Sequence, residues 1–110
     1  MKILYSFRES AKFTEHLEEL LSEDEYSELQ WELLENPTGG KVIKGSGGIR
    51  KVRWSAKGRG KRGGARVIYY FALDKNTFFM LDIYVKNEKT DLTEFELKSL
   101  KNLVKEWLDK

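Results

Sequence analysis

The sequence contains no cysteine, one histidine and one proline among its 110 residues. The lack of cysteine excludes disulfides, thiolate metal sites and Cys–His catalysis. A single histidine, His16, supports neither a His-based metal site nor a catalytic triad, and its acidic helical surroundings indicate a structural role. No apolar run reaches the about 18 residues that a transmembrane helix needs. The apolar start of the chain is also too short for a signal peptide, so we expect a soluble cytoplasmic protein with no membrane partner.

Acidic residues are missing from the middle of the chain, although the net charge is only +2. Residues 36–73 carry 10 Lys or Arg and no Asp or Glu, whereas residues 1–35 carry 3 basic and 10 acidic residues. Charge sorted in this way produces a local field that attracts phosphates. Solubilising surfaces usually mix the two signs, so the pattern favours a nucleic-acid partner over a merely solvated surface.

The hydrophobic pattern predicts one α+β domain over residues 1–110. With 40% hydrophobic and 13% aromatic residues, the chain can bury a core. Apolar spacing predicts two acidic helices after a first strand, the second opened by the capping box Ser22–Glu25 and ended near Pro37. A last helix is predicted after a cap by Asp91 with Glu94. The predicted strands cover residues 2–7, 48–56, 65–73 and 77–85, with a Gly-rich basic loop at 57–64 and a turn at 74–76.

The resulting order β-α-α-β-β-β-α predicts a mostly antiparallel sheet with two different faces. Strict alternation assigns one face to a core that helices cover: Val52, Trp54, Val67, Tyr69, Phe71, Leu73, Phe79, Leu81, Ile83 and Val85. The opposite face is predicted to be open and basic: Lys51, Arg53, Arg66, Tyr70, Asp82, Tyr84 and Lys86, with Ile68 and Met80 between them. Cations that hold phosphates, interleaved with aromatic rings that stack on unpaired bases, are typical of an RNA-binding surface.

Lys, Arg and Tyr are the chemical groups that remain for catalysis, and they suffice for cutting RNA. The substrate supplies the attacking group as its own 2′-hydroxyl, so the protein must align that hydroxyl, neutralise the phosphate and move protons. A lysine packed among other cations has a lowered pKa and can act as a base. An arginine stays charged and binds phosphate in a bidentate manner. A groove that only binds RNA would have the same composition, so both possibilities stay open here.

Several motifs resemble HigB toxins of the RelE superfamily. They are residues 47–53 (GGIRKVR), 57–70 (KGRGKRGGARVIYY), 84–88 (YVKNE) and the turn at 34–37 (LENP). The resemblance covers nearly the whole chain. It implies a RelE-like, microbial-RNase-like fold and metal-independent, ribosome-dependent cleavage of mRNA in the ribosomal A site, with no cofactor. It also implies three partners: the 70S ribosome with its mRNA, a cognate HigA-like helix-turn-helix antitoxin, and operator DNA reached only through that antitoxin.

The resemblance and the charge pattern together define the expected site. By position, Lys51, Arg53, Arg66 and Lys86 match basic residues of the family. We assign catalysis to Arg53, Lys57, Lys61, Arg66 and Lys86, and RNA binding to Lys51, Arg59, Arg62, Tyr70 and Tyr84. Which group is the general base and which the general acid stays open.

Two other functions compete with RNA cleavage. ParE toxins share the expected fold but inhibit DNA gyrase without catalysis, and this alternative leaves the basic loop and basic face unexplained. A ribosome- or RNA-binding module that never cuts is the third possibility.

Overall fold

Side-chain caps fix where the three helices begin. The structure, a computed structural model, describes residues 4–54, 64–85 and 91–109. Helix α1 (Ala11–Leu20) follows Ser10, whose Oγ accepts a hydrogen bond from the Phe13 backbone N–H at 2.9 Å. Helix α2 (Glu23–Glu35) opens with the predicted capping box of Ser22 and Glu25. Such a box satisfies two N–H groups that the first helical turn leaves without partners.

Helix α3 (Glu94–Leu108) begins later than the sequence pattern predicts. Its capping box is formed by Thr93 and Glu96, so the prediction of Asp91 with Glu94 is wrong. Both pairs have the same spacing, and the sequence alone does not separate them. In the structure the Asp91 carboxylate instead accepts a hydrogen bond from the Leu92 N–H at 2.9 Å.

The strands form one mixed sheet of five strands in the order β1-β5-β4-β3-β2. The strands are β1 (Ser6–Glu9), β2 (Lys41–Val42), β3 (Arg50–Trp54), β4 (Ala65–Ala72) and β5 (Thr77–Val85). Strand β1 pairs with β5 in parallel, and the other neighbours are antiparallel. The predicted α+β fold with a mostly antiparallel sheet is therefore confirmed. The short β2 is too brief to show an alternating pattern, and a 3₁₀ turn at Leu73–Lys75 leaves Leu73 exposed rather than in the core.

A β-bulge decides which side chains of β5 face which layer. Ile68 of β4 pairs with Asp82, but the next residue, Tyr69, pairs with Met80, so Leu81 is an extra residue on β5. A bulge of this kind shifts the alternation by one residue. Phe79 and Leu81 consequently lie on the face that we predicted to be open, and Met80 lies in the first core. Strict alternation assigned all three to the wrong face.

Each face of the sheet carries its own core. Helices α1 and α2 cover the first face, where Phe13, Leu29 and Leu33 join Val67 and Tyr69. Helix α3 covers much of the second face. Its contribution to this second core is Leu100, Val104 and Trp107, which join Ile49, Ile68, Ala72, Phe79, Leu81 and Tyr84. The prediction of a fully open basic face is therefore wrong, because the apolar stripe of α3 packs on it. Within the described ranges, no helix has the length and apolar character that crossing a membrane requires.

Candidate functional site

Two arginines and a tyrosine lie side by side across three strands on the second face. Arg53 of β3 is directly paired with Arg66 of β4, and Arg66 is directly paired with Tyr84 of β5. Paired residues of antiparallel strands project to the same face, with Cβ atoms roughly 5 Å apart. We call Arg53, Arg66 and Tyr84 the arginine row. Like charges in directly paired positions are destabilising, so this row suits a bound anion better than an empty surface.

The members of the arginine row differ in exposure. Arg53 is exposed, whereas Arg66 and Tyr84 are each only 6% exposed. Burial, together with the charge of Asp91, raises the pKa of Tyr84 to about 12, although the Arg66 charge opposes the shift. Near neutral pH the Tyr84 hydroxyl is therefore protonated and acts as a hydrogen-bond donor. Its ring packs in the second core, so the structure does not present it as an open stacking surface.

The next row toward the middle of the sheet consists of Lys51, Ile68 and Asp82. Lys51 is half-buried, and its Nζ lies 3.6 Å from the carboxylate of Asp91, just before α3. Ile68 is fully buried in the second core. Lys51 thus lies beside the arginine row, and its ion pair connects β3 to the segment that leads into α3.

Tyr70 lies on the same face, four residues beyond Arg66 along β4, roughly 13 Å at about 3.3 Å per residue. Its ring is half-buried and stacks on Phe79, with 5.8 Å between ring centroids. Gly48 approaches so closely that a Cβ there would lie 3.3 Å from the Tyr70 ring. Tyr70 is therefore held in a fixed position at a distance from the arginine row.

The remaining predicted site residues lie outside the described residues. They are Lys57, Lys61 and Lys86, assigned to catalysis, and Arg59 and Arg62, assigned to RNA binding. The described residues that border them are close together, since Trp54 pairs with Ala65 and Ala65 pairs with Val85. These three residues stand one position beyond the arginine row, at the end of the sheet. The five assignments stay predictions.

A second group of titratable residues was not predicted from the sequence. Asp82 is 1% exposed, and its Oδ1 lies 3.0 Å from His16 Nδ1 of α1. Its Oδ2 lies 3.4 Å from Lys12 Nζ, which also lies 3.2 Å from Glu96 of α3. Burial lowers the pKa of Lys12, but the two carboxylates outweigh burial and the net shift is upward. This Asp82 cluster joins α1, β5 and α3, and it gives His16 the structural role expected for it.

Within residues 4–54, 64–85 and 91–109, no three His, Cys, Asp or Glu side chains form a group that could hold a metal ion.

Comparisons with known proteins agree with the fold. Residues 7–110 match the family model described as the RelE toxin of the RelE/RelB toxin–antitoxin system. A double arginine-to-alanine mutant of the E. coli RelE toxin in the free state is 16% identical, with a TM-score of 0.58, and the match covers 90% of this chain and 95% of that one. Isolated E. coli RelE is 15% identical, with a TM-score of 0.55 and coverage of 91% and 99%.

A third match is the intact E. coli RelBE toxin–antitoxin complex, at 18% identity, a TM-score of 0.55 and coverage of 73% of this chain and 94% of that chain. At these identities the structures establish a shared fold, and the family model extends over nearly all of the sequence. The chain therefore belongs to the RelE toxin family.

Proposed function

We propose that this protein is a toxin of the HigB type that cleaves mRNA in the ribosomal A site without a metal ion, acting in the cytoplasm as one domain. The observation that carries the proposal is the direct pairing of Arg53 with Arg66. Two guanidinium groups at neighbouring positions can contact both non-bridging oxygens of one phosphodiester. The family supplies the wider role, a toxin neutralised by an antitoxin.

The chemistry that this row supports is transesterification within the RNA. The 2′-oxygen attacks the phosphorus, the bond from phosphorus to the 5′-oxygen breaks, and a 2′,3′-cyclic phosphate and a 5′-hydroxyl form. The proton of the 2′-hydroxyl passes to a base, and the departing 5′-oxygen takes up a proton. Arg53 and Arg66 stabilise the additional negative charge on the phosphate oxygens. Tyr84, whose buried hydroxyl stays protonated beside Arg66, adds no negative charge to the row.

The protonation states in the row support a requirement for the ribosome. In the described part of the site, the raised pKa of Tyr84 keeps it neutral, so it is not a base at neutral pH, and a guanidinium group cannot act as one. The general base comes from the predicted lysines Lys57, Lys61 or Lys86, or from the ribosome. A site without a positioned acid–base pair is a poor catalyst alone, and ribosomal RNA would align the scissile phosphate.

The partners in this proposal are the 70S ribosome, mRNA and a cognate antitoxin. The E. coli toxin of this fold is known in complex with its antitoxin, and we propose that the antitoxin here is a HigA-like helix-turn-helix protein that connects the pair to operator DNA.

Induced expression of the chain without its antitoxin tests the proposed function. Translation should stop first, and mapping of transcript 5′ ends should show new ends within codons of translated messages. An Arg8→Ala protein is the control, because Arg8 lies over the Trp107 ring at 4.0 Å and outside the arginine row. It should remain toxic. Arrested replication with translation intact would instead identify a gyrase inhibitor of the ParE kind, and arrested translation with intact transcripts would identify a binding module.

A further inference from the structure

A cavity of about 310 Å³ lies beside α3, at a distance from the arginine row along the same face. One wall is the loop between β2 and β3, with Ser46 and Gly47. The other wall is α3, with Lys101, Asn102 and Lys105. Tyr70 also lines the cavity, as do Val104 and Leu108, so apolar surface lies next to the two cations.

Hydrogen bonds hold the loop wall, which carries little side chain. The Ile43 N–H donates to the Ile49 carbonyl at 2.8 Å and closes the loop at its base. The buried Ser46 hydroxyl accepts from the Ile49 N–H at 2.9 Å and donates to the Ile49 carbonyl at 3.2 Å. Gly47 has φ +75° and faces open space, with no atom within 4 Å of where a Cβ would be. A ligand can therefore approach this backbone closely.

The helix wall carries a row of lysines. Lys98, Lys101 and Lys105 stand at i, i+3 and i+7 on one side of α3, and all three are exposed. This spacing places them along a single flank of the helix. Lys101 and Lys105 line the cavity together, and Asp109 is the one carboxylate among the lining residues. With two cations and one anion, the lining of this cavity has a net positive charge.

The cavity shares part of its lining with a neighbouring cavity. A second cavity of about 470 Å³ shares Tyr70 and Leu108 with the first and continues to Asp74 and Lys75. The two together form a groove that follows the end of α3. An extended groove with cations on its wall and an aromatic ring in its middle fits a single strand, because phosphates meet the cations while bases contact apolar surface.

We propose that the cavity holds a nucleotide of the mRNA strand that flanks the cleaved bond. Lys101 and Lys105 bind its phosphate, and Tyr70, Val104 and Leu108 contact its base. The inference rests on the proposed function for the identity of the strand. Because Tyr70 lies roughly 13 Å from Arg66 along β4, one strand of a few nucleotides reaches both the arginine row and the cavity. The cavity thus fixes the path of the strand without touching the reacting atoms.

The test is an NMR titration of the uniformly ¹⁵N-labelled protein with single-stranded oligouridylate, in the absence of ribosomes. We expect amide shifts at Gly47, Tyr70 and Asn102. Lys101→Ala and Lys105→Ala should each weaken binding several-fold and reduce the slope of log affinity against log salt by about 1. Lys44→Ala is the matched control, because Lys44 is an exposed lysine in the same loop, and its side chain does not line the cavity.

The inference would be overturned if amide shifts appeared only at the arginine row, or if the cavity residues showed none at saturating oligouridylate. It would also be overturned if Lys44→Ala and Lys105→Ala lost equal binding affinity. The result of the NMR titration is independent of whether the protein cuts RNA. Cavity shifts from a protein that leaves transcripts intact on ribosomes support the binding site and refute the proposed function. Cleavage on ribosomes without amide shifts at the cavity residues would support the proposed function and refute the binding site.

Discussion

Replacing Tyr69 by phenylalanine removes one hydroxyl that connects β4 to the segment that follows α2. Tyr69 is fully buried, its Oη accepts a hydrogen bond from the Gly40 N–H at 3.0 Å, and it donates to the Pro37 carbonyl at 2.9 Å. The buried Gly40 N–H would lose this partner, and a buried donor without a partner costs about 1–3 kcal/mol. The half-buried Pro37 carbonyl can recover a hydrogen bond from water. We therefore expect Tyr69→Phe to lower the free energy of unfolding by about 2 kcal/mol.

Thermal and urea unfolding, each followed by circular dichroism, measure this loss. For a domain of this size, about 2 kcal/mol corresponds to a decrease in Tm of roughly 10 °C. Tyr70→Phe is the matched control, because the Tyr70 side chain is half-buried at the cavity and the change should stay within about 0.5 kcal/mol. If the two variants were equally stable, the hydroxyl of Tyr69 would not secure the segment at Pro37 to Gly40, and the reasoning would be refuted.

Three further predictions concern the Asp82 cluster and the arginine row. Asp82→Ala should destabilise the protein by about 1–3 kcal/mol in urea unfolding, less than for a fully buried pair because Lys12 and His16 are partly solvated; an unchanged midpoint would contradict this. The raised pKa of Lys12 means that its contribution to stability is complete below pH 10.5 and is lost as the pH rises through the folded-state pKa, so Lys12→Met should flatten the alkaline part of the stability–pH curve. Tyr84→Phe should leave the cleavage rate within a few-fold of the unmodified protein, because the Tyr84 hydroxyl is buried; a loss of rate of about a hundredfold in a folded protein would instead place that hydroxyl in the chemistry.

The local signals in the sequence were sufficient for most of the fold. The Ser22–Glu25 capping box, the apolar stripes of the helices and the bounds of the strand at Thr77–Val85 each depend on neighbouring residues, and the structure agrees with them. The sequence did not decide between two equivalent capping signals at the start of α3. Asp91–Glu94 and Thr93–Glu96 have the same spacing, and packing of α3 on the second face selects the latter.

The errors came from features that depend on distant residues. The bulge at Leu81 has no signature in the alternation of β5, so Phe79, Met80 and Leu81 were assigned to the wrong faces. The pairing of His16 with Asp82 joins residues 66 positions apart, and no spacing rule connects them. The face that α3 covers follows from the same bulge, because it places Phe79 and Leu81 where the helix can bury them.

The basic residues of the site were predictable as a group but not as individuals. The lack of acids in residues 36–73 indicated a phosphate-binding surface. Register alone shows that Arg53 and Arg66 are directly paired, and packing alone shows that Arg66 is nearly buried while Arg53 is exposed. Lys101 and Lys105 were not singled out, because on a helix of mixed charge they are indistinguishable from solvated lysines.

Single-turnover cleavage of mRNA on programmed ribosomes, measured together with ribosome affinity, tests the central claim most directly. Arg66→Ala should keep the fold, because Val67 and Tyr69 of the first core are untouched. It should lower the single-turnover rate by about a hundredfold or more, and ribosome affinity far less, as expected for a contact made in the transition state. Arg8→Ala should cleave at the unmodified rate. A folded Arg66→Ala protein with a near-normal rate, or one that loses rate only in proportion to affinity, would contradict the assignment of catalysis to the arginine row.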